Sequence, residues 1–75
     1  MKRSQYMSQL VADRWDDTIA DPSYMRWANL AQFAAQVADD IKAHEPDSIL
    51  AYAMRGVYEA AYQRMLAMEP QEAAA

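Results

Sequence analysis

Apolar residues recur along this chain every three or four positions and never settle into strict alternation with polar ones. That period belongs to amphipathic helices, not to half-buried strands. In a first segment, Met7, Leu10, Val11, Trp15 and Ile19 gather on one side at 100° per residue, and Gln9, Asp13, Asp16 and Asp17 lie opposite. Ser4 suits the N-cap, and Arg14 projects from the middle of the apolar face. A second segment carries a wider apolar arc, about 200°, as a central helix with two neighbours does. Trp27, Leu30, Ala34, Val37 and Ile41 lie at its centre, with Phe33 on one flank and Ala28, Ala31, Ala35 and Ala38 on the other. The alanine stripe permits one neighbour to approach closely. A third segment buries Leu50, Met54, Val57, Ala61, Met65 and Met68, and carries a second stripe of Ala53, Gly56, Ala60 and Ala67.

Prolines separate these segments. Pro22, Pro46 and Pro70 each follow an acidic residue. Asp21-Pro22 reads as an N-cap with proline at the first helical position. Pro46 ends the second helix near Glu45, and Asp47 or Ser48 caps the third. The predicted helices span 4–20, 22–45 and 48–69, with 70–75 as a frayed tail. Glycine occurs once, at Gly56, and no Asn-Gly or Asp-Gly dipeptide marks a hairpin.

The expected fold class is therefore all-α, a three-helix bundle forming one domain over residues 1–75. Helix 1, about 25 Å long, packs on a hairpin of helices of about 36 and 33 Å at 1.5 Å per residue. The one-residue link between helices 1 and 2 favours a sharp corner, with helix 1 lying across the hairpin. Trp15, Trp27, Tyr24, Phe33 and Met54 are expected in the core. Helix 3 offers more apolar surface than a bare bundle needs, so a homodimer completing the bundle is the alternative.

Composition narrows the functional classes. Hydrophobic residues make up 53% of 75, yet mean hydropathy is −0.39, because sixteen are alanine. No stretch approaches the roughly 20 apolar residues of a membrane span. A secretory leader is not expected, since no basic start leads into an apolar core. No cysteine is present, so disulfides and thiolate chemistry are out. A cytoplasmic location is the expectation. Net charge is −4 and pI about 4.6. Nucleic-acid binding usually shows a basic face, and here seven dispersed cations share their helices with carboxylates.

No catalytic constellation is legible. Asp13, Asp16, Asp17 and Asp21 cluster on helix 1, but a di-iron bundle needs Glu-x-x-His pairs and zinc needs more than the single His44. His44 falls in the last turn of its helix, where the dipole favours it. No Gly-x-Ser-x-Gly elbow or phosphate-cradling loop occurs. The expectation is a non-enzyme without metal or cofactor.

What remains is surface left over after the core is assigned. Met25, Tyr52, Tyr62 and Leu66 fall outside the buried faces, and Tyr, Met and Arg are enriched at interfaces. Asp16 and Asp17 lie near a helix C-terminus, where the dipole disfavours negative charge. Asp13, Arg14, Asp16, Asp17, Met25, Tyr52, Tyr62 and Leu66 are thus the candidate partner-binding residues. Arg14 either meets a partner carboxylate or snorkels out beside Asp13 or Asp17.

In general character (short, acidic, cysteine-free, all-helical) the chain resembles the small inhibitors encoded by phages and mobile elements, anti-CRISPR proteins among them. The resemblance is one of type and carries no motif. It implies a non-catalytic inhibitor that sterically occupies a surface of a larger host complex. The alternatives are a homodimeric DNA-binding regulator, an antitoxin-like protein, or a small structural subunit of an assembly.

Overall fold

The computed structural model describes residues 2–74, with side chains through Met68. Its helices are α1 (Arg3–Ala20), α2 (Tyr24–His44) and α3 (Leu50–Ala74). The predicted three-helix bundle is the fold, with α2 packed most extensively on α3.

The helix ends differ in detail from the expected ones. Lys2 caps α1, and its N–H donates to Gln5 Oε1 at 3.3 Å. Ser4 is not the N-cap: it lies in the first turn, buried, and its N–H donates to Glu45 Oε2 at 3.3 Å. A carboxylate from the α2–α3 corner thus satisfies one of the free N–H groups of α1, where the helix dipole favours an anion. Ser23, not Asp21, caps α2, its Oγ accepting from Arg26 N–H at 3.1 Å. The link between α1 and α2 is therefore Asp21–Ser23. Ser48 Oγ accepts from Leu50 N–H at 3.2 Å at the start of α3. The helical backbone of α3 continues beyond residue 69 to Ala74. Pro70 withdraws one N–H from the ladder there without ending it. Ala75 lies outside the described residues.

Helix α1 runs antiparallel alongside α2 and not across the hairpin. Arg3 meets Asp40 near the end of α2, while Trp15 meets Trp27 near its start. The three-residue link permits this return, which a one-residue link would not.

Seven of the ten buried apolar residues belong to α2: Trp27, Leu30, Ala31, Ala34, Val37, Ala38 and Ile41. The core is therefore built around one helix, as its wide apolar arc predicts. From α3 come Met54 and Ala61, backed by half-buried Leu50, Val57, Met65 and Met68. Trp15 and Phe33 pack against this core half-buried, as does Tyr58. Tyr24 is half-buried at the start of α2.

On α1 the buried line is Ser4, Val11 and Thr18, spaced seven apart. Thr18 Oγ1 donates to Arg14 C=O at 2.7 Å, so the buried hydroxyl is satisfied within its own helix. Ile19, expected in the core, is 49% exposed. It stands about 80° around the helix from the Val11 line at 100° per residue.

Small residues behave oppositely in the two places where they gather. Ala34 and Ala61 have no exposed surface, so α2 and α3 meet there across methyl groups. Gly56 is exposed, and a Cβ added to it meets nothing within 4 Å. Ala34→Leu is expected to overpack the core and destabilise the fold by about 1–3 kcal/mol. Gly56→Ala is expected to stabilise it by about 0.5–1 kcal/mol through helix propensity alone. Urea unfolding followed by circular dichroism reads both, and equal signs would contradict this packing.

Candidate interaction surface

The candidate residues are all exposed, but they fall on separate faces. Asp13, Asp16 and Asp17 mark the outer side of α1. Arg14 and Asp17 border a shallow cleft between α1 and α2 with Arg26 and Asn29. Tyr52 borders another cleft between α2 and α3 with Lys42 and Arg55. Met25 stands on the first turn of α2.

The arginines explain how the acidic face stays bare. Arg14 turns to neither Asp13 nor Asp17; its guanidinium lies 4.1 Å from the centroid of Phe33. Arg64 lies 5.2 Å from both Trp15 and Trp27, whose rings meet edge-on at 5.3 Å. Arg55 lies 5.9 Å from Tyr58. Each contact is worth about 0.5–1 kcal/mol at an exposed site. Three guanidinium groups are thus held on aromatic rings in a chain with surplus carboxylates. Asp13 accepts from Gln9 Nε2 at 3.1 Å. Among the described residues, no cation pairs with Asp13, Asp16 or Asp17.

Helix α3 presents a second surface. Tyr58 stacks on Tyr62 with centroids 6.0 Å apart. Arg55, Tyr58, Tyr62 and Leu66 follow one another at three- and four-residue steps and share one stripe. Tyr52 begins it, 80% exposed. Sequence reasoning found Tyr52, Tyr62 and Leu66 but missed Arg55 and Tyr58. The i, i+4 tyrosine pair was the available signal. It also missed Ile49, 80% exposed in the α2–α3 corner, which no periodicity flags.

A third feature is a trough between α1 and α3, the least-packed pair of helices. Trp15, Met54 and Val57 form its floor, Ala12, Ala53, Gly56 and Ala60 its walls, and Asp16 its lip. The trough needs two helices to exist, so no single segment announces it.

Polar contacts fasten the opposite end of α1. Arg3 Nε and Nη2 donate to Asp40 Oδ2 and Oδ1 at 2.9 and 3.2 Å. His44 Nδ1 sits 2.9 Å from Asp40 C=O and 3.5 Å from its Oδ1. The Arg3 hydrogen bond holds the Asp40 carboxyl below its ordinary value, against a weaker opposing effect of burial. Nothing here forms a reactive pair. Among the described residues, no group of three or more His, Asp or Glu side chains is placed to hold a metal. Among the same residues, no helix is long and apolar enough to cross a membrane. No family model, curated protein or solved structure matches the chain.

A depressed carboxyl stabilises the fold only while ionised. The Arg3–Asp40 contribution is present above the ordinary carboxylate range and is lost as pH falls through the lower folded value. Asp40→Asn is expected to lower the melting temperature modestly at pH 7, with the gap closing at acid pH. Thermal melts of both proteins across that range check this, and a gap that widens on acidification would contradict it.

Proposed function

We propose that the chain is a non-catalytic interaction protein that occupies a surface of a larger protein complex. The observation that carries this reading is where its large apolar side chains lie. Among the described residues, six are buried: Val11, Trp27, Leu30, Val37, Ile41 and Met54. Seven are exposed: Tyr6, Ile19, Met25, Ile49, Tyr52, Tyr62 and Leu66. A further ten are half-buried, so the exposed seven are a minority; scattered surface apolar residues are ordinary, and the observation is that three of the seven, Tyr52, Tyr62 and Leu66, gather on α3. Tyr52 and Tyr62 moreover share a stripe with Arg55, the residue types that anchor interfaces.

The unpaired carboxylates of α1 supply orientation. Charges at an interface rim steer encounter and select partners, and a basic partner fits this face. An inhibitor of the kind that phages and mobile elements carry, anti-CRISPR-like in character, is the finer reading. Small size, acidity and the all-helical build support it.

Capture from a bacterial lysate on immobilised chain tests the proposal. One protein or complex is expected to be retained in stoichiometric amount. The triple substitution Asp13→Lys, Asp16→Lys and Asp17→Lys is expected to reduce retention about tenfold or more, with helicity by circular dichroism unchanged. If the intact chain retains nothing, the interaction reading fails. If the triple variant retains as much, the acidic face is only solvated surface.

A further inference from the structure

We infer that the trough between α1 and α3 seats an amphipathic helix of the bound protein. That helix is small and apolar on its inner side and carries Lys or Arg along the edge facing α1. This deepens the interaction reading above and rests on it.

The seat follows from how the bundle is packed. Both α1 and α3 lean on α2 and scarcely on each other. Between them Trp15, Met54 and Val57 line the bottom of the cleft, with Met54 buried and the other two half-buried. From Ala53 to Met68, α3 runs about 22 Å at 1.5 Å per residue, enough for about four turns of a fourth helix. A separate cleft is lined by Ile19, Pro22 and Trp27 with Arg64, Ala67 and Met68 of α3.

Gly56 points to a close approach. Glycine is the least favourable residue after proline inside a helix. Its φ is not positive, so the backbone does not require it. A Cβ there meets nothing within 4 Å, so packing within the chain does not require it either. A helix crossing the trough at this point does require a small residue, as close helix crossings generally do.

Charge selects the occupant. Asp16 stands on the lip of the trough, and neither it nor Asp13 has a cationic partner among the described residues. The arginines of the chain are already engaged: Arg3 with Asp40, Arg26 with Asp21, and Arg14, Arg55 and Arg64 on rings. A second copy would bring another net charge of −4 to an acidic lip. A basic helix from a different protein is the complementary occupant.

The absence of native cysteine makes the test direct. Gln63 lies seven residues beyond Gly56, on the same line of α3. Gln63→Cys and Tyr62→Cys each carry one benzophenone cross-linker, the first on the Gly56 line beside the trough and the second about 100° around the helix on the tyrosine stripe. The full chain is irradiated in lysate, and the attached peptide is mapped by mass spectrometry. The inference expects attachment from position 63 to a Lys- or Arg-bearing segment with helical periodicity. It also expects Asp16→Lys to cut that yield about tenfold. Gly56→Ala should lower capture while raising the melting temperature, a combination that misfolding does not produce. Attachment to a second copy, or to a segment without basic residues, overturns the inference. Capture with attachment from position 62 alone overturns it too, while leaving the interaction reading intact. Failure of any capture removes the interaction reading and the trough assignment with it.

Discussion

The close approach of α2 and α3 across alanine sets the rest of this structure. Ala31, Ala34, Ala38 and Ala61 are all buried, so the two backbones come together with little side-chain volume between them. Larger side chains on α2, Trp27, Leu30, Val37 and Ile41, then fill the space beside that seam. One helix thereby supplies most of the core, and α1 receives what is left of its arc. Helix α1 is accordingly secured at its two ends. Arg3 and Ser4 are tied to Asp40 and Glu45 at one, and Trp15 meets Trp27 at the other. Between α1 and α3 little is buried, and the trough is the direct geometric consequence.

Electrostatics follows the same arrangement. Arginine is planar and weakly hydrated, so it stacks on aromatic faces that lysine serves less well. Arg14, Arg55 and Arg64 all use this property. Their charge covers the edges of the aromatic core instead of neutralising neighbouring carboxylates. Helix α1 is left with Asp13, Asp16 and Asp17 toward solvent, the last two near a C-terminus whose dipole repels them. Salt screens such exposed charges beyond about 8–10 Å, so their influence is strongest on a partner in contact.

The sequence made α2 plain because its buried residues, Trp27 to Ile41, repeat with helical period over about four turns and polar residues fill the gap. The outward positions of Tyr52, Tyr62 and Leu66 were equally plain, since each falls off the buried face of α3. The rotation of α1 was hidden. Its buried line contains Ser4 and Thr18, small polar residues that hydropathy counts as surface, and Ile19 is turned outward as a result. Ser4 was misread as a cap for the same reason: the group that serves its N–H belongs to Glu45, forty-one residues away. Which exposed residues share a face also depends on tertiary packing, and periodicity within one helix does not reach it. Arg14 shows the point, since local spacing offers it Asp13 and Asp17 while the fold offers it Phe33.

Natural sequences tend to agree with their fold at every level, and departures from that agreement collect at functional sites. Two departures in this chain border one trough, and a third lines a separate cleft. Gly56 weakens the interior of α3, Asp16 opposes the dipole of α1, and Ile19 stays half in water. Separately each is a cost of up to about 1 kcal/mol, within what a small domain absorbs. A basic helix laid in the trough, as inferred above, offsets the first two: its backbone uses the space above Gly56 and its cations meet Asp16. Binding to the folded chain alone then stabilises it by mass action, about 2.7 kcal/mol at a hundred times the dissociation constant. On that inference the local costs in the free chain are tied to a bound state, which favours the trough over the more conspicuous tyrosine stripe as the seat of an occupant.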